Sequence, residues 1–155
     1  MTLPVAEYYF GIMENKLNIS ALKAAAEAFY KALAFANKVE AKVPSDRDPY
    51  EFEMVRAALI KHFEFCYEMC WKTMLRFIKA DIGEEEANIL TRRDLFRVSA
   101  EKGLIAELKH WLAYHNARNT TSHVYDLIVA SNVYENAKKF ADDLREFVDT
   151  IEKRI

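Results

Sequence analysis

This 155-residue sequence predicts an all-α fold, an antiparallel up-and-down four-helix bundle with one or two short extra helices. Three observations carry that expectation. Glycine and proline occur only three times each, and long stretches contain neither, too few breakers for a chain of many strands and turns. Apolar residues recur at intervals of three and four, the period of a helix face. The breakers that do occur fall between the periodic runs.

A first helix is expected to begin between Leu17 and Ser20, where Asn18 and Ser20 can cap, and to run to about Ala41. Ile19, Leu22, Ala26, Phe29, Leu33 and Ala36 give it one apolar face. Whether residues 4–16 extend it stays open at this level. Two prolines make residues 43–49 a loop. The second helix, from about Tyr50 to Ile82, turns Val55, Leu59, Phe63, Cys66, Tyr67, Cys70, Met74, Phe77 and Ile78 inward, and Gly83 ends it. Residues 84–90 form an acidic connection that can be helical. Two shorter helices follow, from Arg93 to Lys102, stopped by Gly103, and from Ile105 to about Ala117. The last helix has the cleanest pattern: Val133, Ala137, Phe140, Ala141, Leu144, Phe147, Val148, Ile151 and Ile155. The whole chain, residues 1–155, is expected to form a single helical-bundle domain, a size that buries a substantial core.

With 52% apolar and 30% charged residues the chain is globular in composition. Its net charge of −2 lacks the broad basic surface of a protein that wraps nucleic acid. Charge is uneven, however. Residues 88–123 carry six Lys/Arg against three Asp/Glu, plus three histidines, and an anionic ligand would be drawn there. Cys66 and Cys70, the only cysteines, stand one helical turn apart. Helix geometry does not suit a bond between them, so two free thiols in a reducing, cytoplasmic setting are expected. No signal pattern or membrane-length apolar run is visible, and no membrane partner is expected.

The segment Arg118-Asn119-Thr120-Thr121-Ser122-His123-Val124-Tyr125 departs from this plain helical background. Ser, Thr and Asn compete with the helix backbone for hydrogen bonds, so a core helix has no use for the run. A fixed cation stands five residues from a histidine, a side chain whose ordinary pKa is roughly 6.5. If both converge on one phosphate, Arg118 grips its non-bridging oxygens and His123 takes a proton from a ribose 2′-hydroxyl or gives one to the leaving oxygen. That chemistry needs no metal and no cofactor. The same residues also suit a structural role, with Arg118 paired to a carboxylate, His123 capping a helix and the hydroxyls satisfying the loop backbone. Tyr125 and Asp126 follow on the same loop, and Tyr125 suits either substrate positioning and modification or packing over the bundle end.

Two constellations lie on the second helix. His62, Cys66 and Cys70 form a line one turn apart, but no further ligand completes a closed zinc site, and free cysteine is usually a small core residue. The stretch from Phe63 to Lys72 holds four aromatics that cover more than one helix face, which suits burial both in the bundle and against a partner, or a wide core face in a monomer. Glu64 and Glu68, one turn apart, can pair across the bundle with Arg93, Arg97 or Arg118.

Three blocks occur in order: Phe63-Glu64-Phe65-x-Tyr67-Glu68-x-x-Trp71-Lys72, then Arg93-Asp94-x-Phe96-Arg97 leading to Gly103-Leu104-Ile105 and Trp111, then Arg118-Asn119-x-Thr121-Ser122-His123-x-Tyr125-Asp126. Together they resemble the nucleotidyltransferase substrate-binding protein family of the HEPN superfamily, from about residue 18 to the C-terminus. The resemblance implies an up-and-down bundle, a homodimer, and a minimal nucleotidyltransferase as protein partner. Its Arg-x4-His-x-Tyr pattern is that of HepT-type toxins, metal-independent ribonucleases of toxin–antitoxin pairs whose sites face each other across the dimer. Carried over by position, Arg118 and His123 become the catalytic pair. Asn119, Ser122, Tyr125 and Asp126 become supporting or RNA- and nucleotide-binding groups, and Tyr125 the residue to which the transferase attaches AMP. The older family reading is a non-catalytic subunit that presents a substrate or nucleotide to the transferase. His110 and His115 are additions ahead of the motif.

Overall fold

The computed structural model describes the backbone of residues 5–155 and side chains from Ile19 onward. Six helices follow in order: α1 (Val5–Glu40), α2 (Pro49–Ile82), α3 (Glu84–Asn88), α4 (Arg92–Glu101), α5 (Leu108–Asn119) and α6 (Leu127–Lys153), with short 3-10 turns at Pro44–Asp46 and Thr121–His123. No strand occurs among the described residues. The long helices α1, α2 and α6 pack on one another, α5 packs on α6 and α2, and α4 bridges α2 and α5. Short connections between packed neighbours give the up-and-down arrangement expected from the sequence.

Local chemistry sets most boundaries. At the start of α2, the Asp48 side chain accepts from the Tyr50 N–H at 2.9 Å and Pro49 occupies the first turn, where its missing donor costs nothing. Gly83, at φ +95°, ends α2. The acidic connection does form a short helix, α3. Thr91 caps α4 by accepting from the Asp94 N–H. At the other end Gly103, at φ +72°, lets the Leu104 N–H reach back to the Ser99 carbonyl at 2.8 Å and the Gly103 N–H to Ala100, the paired bonds of a glycine-stopped helix. Arg154 donates to the carbonyls of Lys102 and Gly103, which ties the C-terminus to this turn.

Some expectations shift. α1 runs unbroken from Val5, so Asn18 and Ser20 lie inside it and do not cap it. No proline lies between Pro4 and Pro44, and a lone Gly11 costs only about 1 kcal/mol of helix propensity. α5 starts at Leu108 because Leu104 and Ile105 are buried in the connection ahead of it, and it continues through Asn119. Leu33 and Phe77 are half-buried, and Ile155 is exposed because α6 ends two residues earlier.

The core is an aromatic stack centred on Phe140 of α6, which has no solvent exposure. Phe29 of α1, Phe63 of α2, and Trp111 and Tyr114 of α5 meet its ring near-perpendicularly, with centroids at 5.7, 5.2, 5.6 and 5.1 Å. This edge-to-face geometry places positive ring edges against the negative face of a neighbour. Cys66 and Cys70 are buried behind it as free thiols. The Cys66 S–H donates to the Ala25 carbonyl at 3.3 Å, and burial pushes that thiol up to about 12 and the Cys70 thiol well above its ordinary value. Among the described residues, no group of three or more His, Cys, Asp or Glu is placed to hold a metal ion. No described helix is long and apolar enough to cross a membrane.

Phe140→Ala leaves a cavity at the meeting point of four helices and should cost about 3–5 kcal/mol in urea unfolding. Asp126→Ala, which deletes the side-chain cap of α6, should cost about 1 kcal/mol. If the two losses come out equal, the central place of Phe140 in the core is wrong.

Candidate functional site

The polar octapeptide is the corner between α5 and α6. Arg118 and Asn119 form the last turn of α5, Thr121–His123 make one 3-10 turn, and Asp126 caps α6. Three backbone bonds step through the corner, Thr120 N–H to Ala117, His123 N–H to Thr120 and Asp126 N–H to His123, at 2.9–3.1 Å. Thr120 and Thr121 hydroxyls donate back to the carbonyls of Ala117 and Arg118 at 2.8 and 2.9 Å. The hydroxyl residues therefore close the corner in place of the glycines that a tight bend usually uses.

Arg118 leaves this corner toward α2. Its Nη1 donates to Thr121 Oγ1 at 2.8 Å, and Thr121 is itself buried. Its Nε stands 3.4 Å from Glu68 Oε1, and Nη1 stands 4.0 Å from Glu64 Oε1. Of the three arginines that could have paired with these glutamates, Arg118 alone does so. Arg93 donates to Asn116 Oδ1 at 3.0 Å and Arg97 pairs with Asp94 in its own helix. Glu68 is in turn fixed by the Trp71 indole N–H at 3.0 Å. The Arg118 side chain is about one-third exposed; among the described residues its Nη2 has no partner, and its buried Nε makes no hydrogen bond.

His123 is exposed, and its Nδ1 lies 3.1 Å from the Tyr125 hydroxyl, with the two rings edge-to-face. Nε2 has no protein partner among the described residues. Two tautomers fit this contact. If Nδ1–H donates to the tyrosine oxygen, Nε2 carries a free lone pair; if the tyrosine donates to Nδ1, Nε2 carries the proton. Tyr125 is 82% exposed, so it does not pack over the bundle end. Ser122 is exposed as well. Asp126 plays a structural part, since its carboxylate accepts from the N–H groups of Ile128 and Val129 at 2.8 and 3.3 Å. The sequence-predicted residues thus occupy one corner, with Arg118 turned to α2, His123 and Tyr125 paired on the surface, and Asp126 capping α6 through Oδ1.

Asn119 leads to a second set of polar groups. Its side-chain amide lies 3.5 Å from His115 Nε2, and His115 Nδ1 lies 2.7 Å from the Tyr67 hydroxyl. Arg92 Nη1 stands 3.4 Å from the same hydroxyl, and its guanidinium lies flat on the Trp71 ring, 3.4 Å from the centroid. Burial, reinforced by the nearby charges of Arg92 and Arg93, lowers the His115 pKa and favours the neutral ring. Burial likewise pushes the Tyr67 hydroxyl up to about 12, so it stays a donor. His110 stands apart, bonded to Asp143 of α6 at 3.1 Å. Sequence reasoning missed Arg92 and the part played by Trp71. Arg92 lies outside the residue blocks, and Trp71, though inside the first of them, gives no sign of its partner because the stack joins residues from two helices.

Comparison with known proteins agrees with the residue blocks. Residues 17–153 match the family model described as nucleotidyltransferase substrate binding protein like. A curated relative from Haemophilus influenzae, named a probable ribonuclease HepT, is 30% identical over 145 residues, which is 92% of this chain and 97% of the relative. A solved structure from the same species, described as revealing the fold of a substrate binding domain of a nucleotidyltransferase, superposes with a TM-score of 0.76 at 27% identity. It covers 86% of this chain and 98% of its own. With the family model spanning nearly all of its length, the chain belongs to the nucleotidyltransferase substrate binding protein like family.

Proposed function

We propose that this protein is a metal-independent endoribonuclease of the HepT toxin type, with Arg118 and His123 as its catalytic pair. The observation that carries this reading is the corner itself: an exposed imidazole oriented through Nδ1 by Tyr125, with Nε2 unpartnered, on the same α5–α6 corner as the partly exposed Arg118. The name of the curated relative supports the same activity. In the reaction the ribose 2′-oxygen attacks the adjacent phosphorus and the bond to the 5′-oxygen breaks. The products are a 2′,3′-cyclic phosphate and a free 5′-hydroxyl. A basic His123 Nε2 accepts the 2′-hydroxyl proton, a protonated one supplies the 5′-oxygen, and Arg118 neutralises charge on the phosphoryl oxygens.

Base and acid are both required at once, and one corner supplies a single imidazole. A homodimer that brings two copies of His123 together across its two-fold axis provides both. Asn119 and Ser122 are exposed on the corner and available to RNA. The partner of this reading is a minimal nucleotidyltransferase that attaches AMP to the Tyr125 oxygen, which the high exposure of Tyr125 supports. An AMP group there removes the hydrogen bond that orients His123 and places a phosphate over the site.

A second reading, a binding subunit that presents a substrate or nucleotide to a transferase, is favoured by one observation. Glu64 and Glu68 already stand beside Arg118 and offset part of the charge that a phosphate would need.

In EDTA, the purified parent should cleave single-stranded RNA, and His123→Ala should lower the rate about 10²–10⁴-fold at unchanged melting temperature, since His123 is exposed. Arg118→Lys keeps the charge but loses the planar fork, and should lose about 10²–10³-fold. Cleavage by His123→Ala at the parent rate would sink the residue assignment. A parent that is inactive with an unmodified intact mass, yet co-purifies with a nucleotidyltransferase, would establish the binding-subunit reading instead. Incubation with that transferase and ATP should add the mass of one AMP to the parent and none to Tyr125→Phe.

A further inference from the structure

Beside the corner lies a set of cations that the proposed cleavage does not use. Arg92 and Arg93 open α4, and neither pairs with a carboxylate among the described residues. Cations at a helix N-terminus face the positive end of its dipole, and the acidic group in this first turn, Asp94, is already bonded to Thr91 and Arg97 rather than to Arg92 or Arg93. Both are nonetheless held in place. Arg92 is stacked on Trp71 and bonded to the Tyr67 hydroxyl, and Arg93 is braced by Asn116 at 3.0 Å. A guanidinium whose flat face is covered keeps its edge donors for a ligand.

The hydrogen-bond chain next to them has one consistent direction. Arg92 can only donate, so the Tyr67 oxygen accepts from it, and the Tyr67 proton goes to His115 Nδ1 at 2.7 Å. The ring proton of neutral His115 then sits on Nε2, the nitrogen that faces Asn119. The Asn119 amide turned about accepts that proton, or swings aside and leaves it to an incoming acceptor. His115 is thereby a neutral donor beside two fixed cations. Trp71 joins this set to the corner, because its ring carries Arg92 and its N–H holds the Glu68 that stands beside Arg118.

We propose that Arg92, Arg93 and the His115 Nε2–H, with Asn119 at its edge, form a second phosphate subsite. It takes the backbone phosphate of single-stranded RNA that neighbours the one at Arg118 and His123. The chain's charge pattern fits this assignment, since residues 88–123 form its basic segment although the net charge is −2. The subsite rests on the ribonuclease reading only for its choice of RNA as ligand, and its occupancy is measured without catalysis.

The test is fluorescence anisotropy of the full-length protein with a labelled single-stranded RNA made uncleavable by 2′-O-methyl groups, across a series of KCl concentrations. Loss of one phosphate contact should flatten the plot of log affinity against log salt by about 0.7. Arg92→Gln/Arg93→Gln should show that change together with a roughly ten- to hundredfold weaker affinity. Lys153→Gln, at the far end of α6, should match the parent. Arg93→Gln alone disturbs only the Asn116 contact at the surface, so weakened binding by this single variant separates lost phosphate contact from a disturbed Trp71 stack. Variants that bind with the parent's affinity and slope, or a parent that does not bind this RNA, overturn the subsite. Cleavage is scored in parallel on unmodified RNA. Binding through these arginines without cleavage removes the ribonuclease reading and leaves the subsite standing; cleavage with unchanged binding by the variants does the reverse.

Discussion

The ring of Phe140 is where four helices of this molecule meet. Side chains from α1, α2 and α5 meet it edge-on, so the positions of three helices are set against one aromatic plane of a fourth. Edge-to-face packing is directional in a way that aliphatic packing is not. A rotation of α5 about its axis would part Trp111 and Tyr114 from Phe140 together. The C-terminal turn of α5 carries Arg118, and the first turn of α6 carries its Asp126 cap, so the geometry of the corner follows from the core beneath it.

The second helix divides its labour by face. Phe63, Tyr67 and Cys70 point into the core, while Glu64, Glu68 and Trp71, each one residue further on, line the side that α5 approaches. Trp71 serves two partners at once, an acceptor at its N–H and a cation on its face. Its indole therefore couples Arg92 to the carboxylate that stands beside Arg118. A change at Trp71 acts on both arginines without touching either backbone.

The apolar periodicity of α2 and α6 was enough to assign their core faces, because helix registry is written in a single strand of sequence. The stops at Gly83 and Gly103 were legible for the same local reason, whereas the Asp48 cap, inside a segment read as loop, was not singled out. The start of α1 was not, since Asn18 and Ser20 are residues that cap only where a helix has cause to begin, and nothing before them interrupts this one. Within the site, the run from Arg118 to Tyr125 stood out by composition, while the spacing of Glu64 and Glu68 left their partner open among Arg93, Arg97 and Arg118. The stack of Arg92 on Trp71 had no such signature. It depends on how α4 lies across α2, which is a property of tertiary packing and leaves no trace in either local pattern. Asp126, grouped with the binding set by its position, also serves as the helix cap through Oδ1.

The corner between α5 and α6 turns without a glycine and without a single residue at positive φ, since among the described residues only Gly83 and Gly103 adopt one. Its residues stay in ordinary backbone basins, and backbone and threonine hydroxyl bonds tie Ala117, Arg118, Thr120, His123 and Asp126 together through it. The conformational entropy of this loop is therefore surrendered when the protein folds, and a ligand that arrives later does not have to order it. A glycine-rich loop of equal length would have deferred that cost to each binding event. Affinity for a flexible, single-stranded ligand, which must itself be ordered on binding, benefits most from a receptor surface that has nothing left to lose.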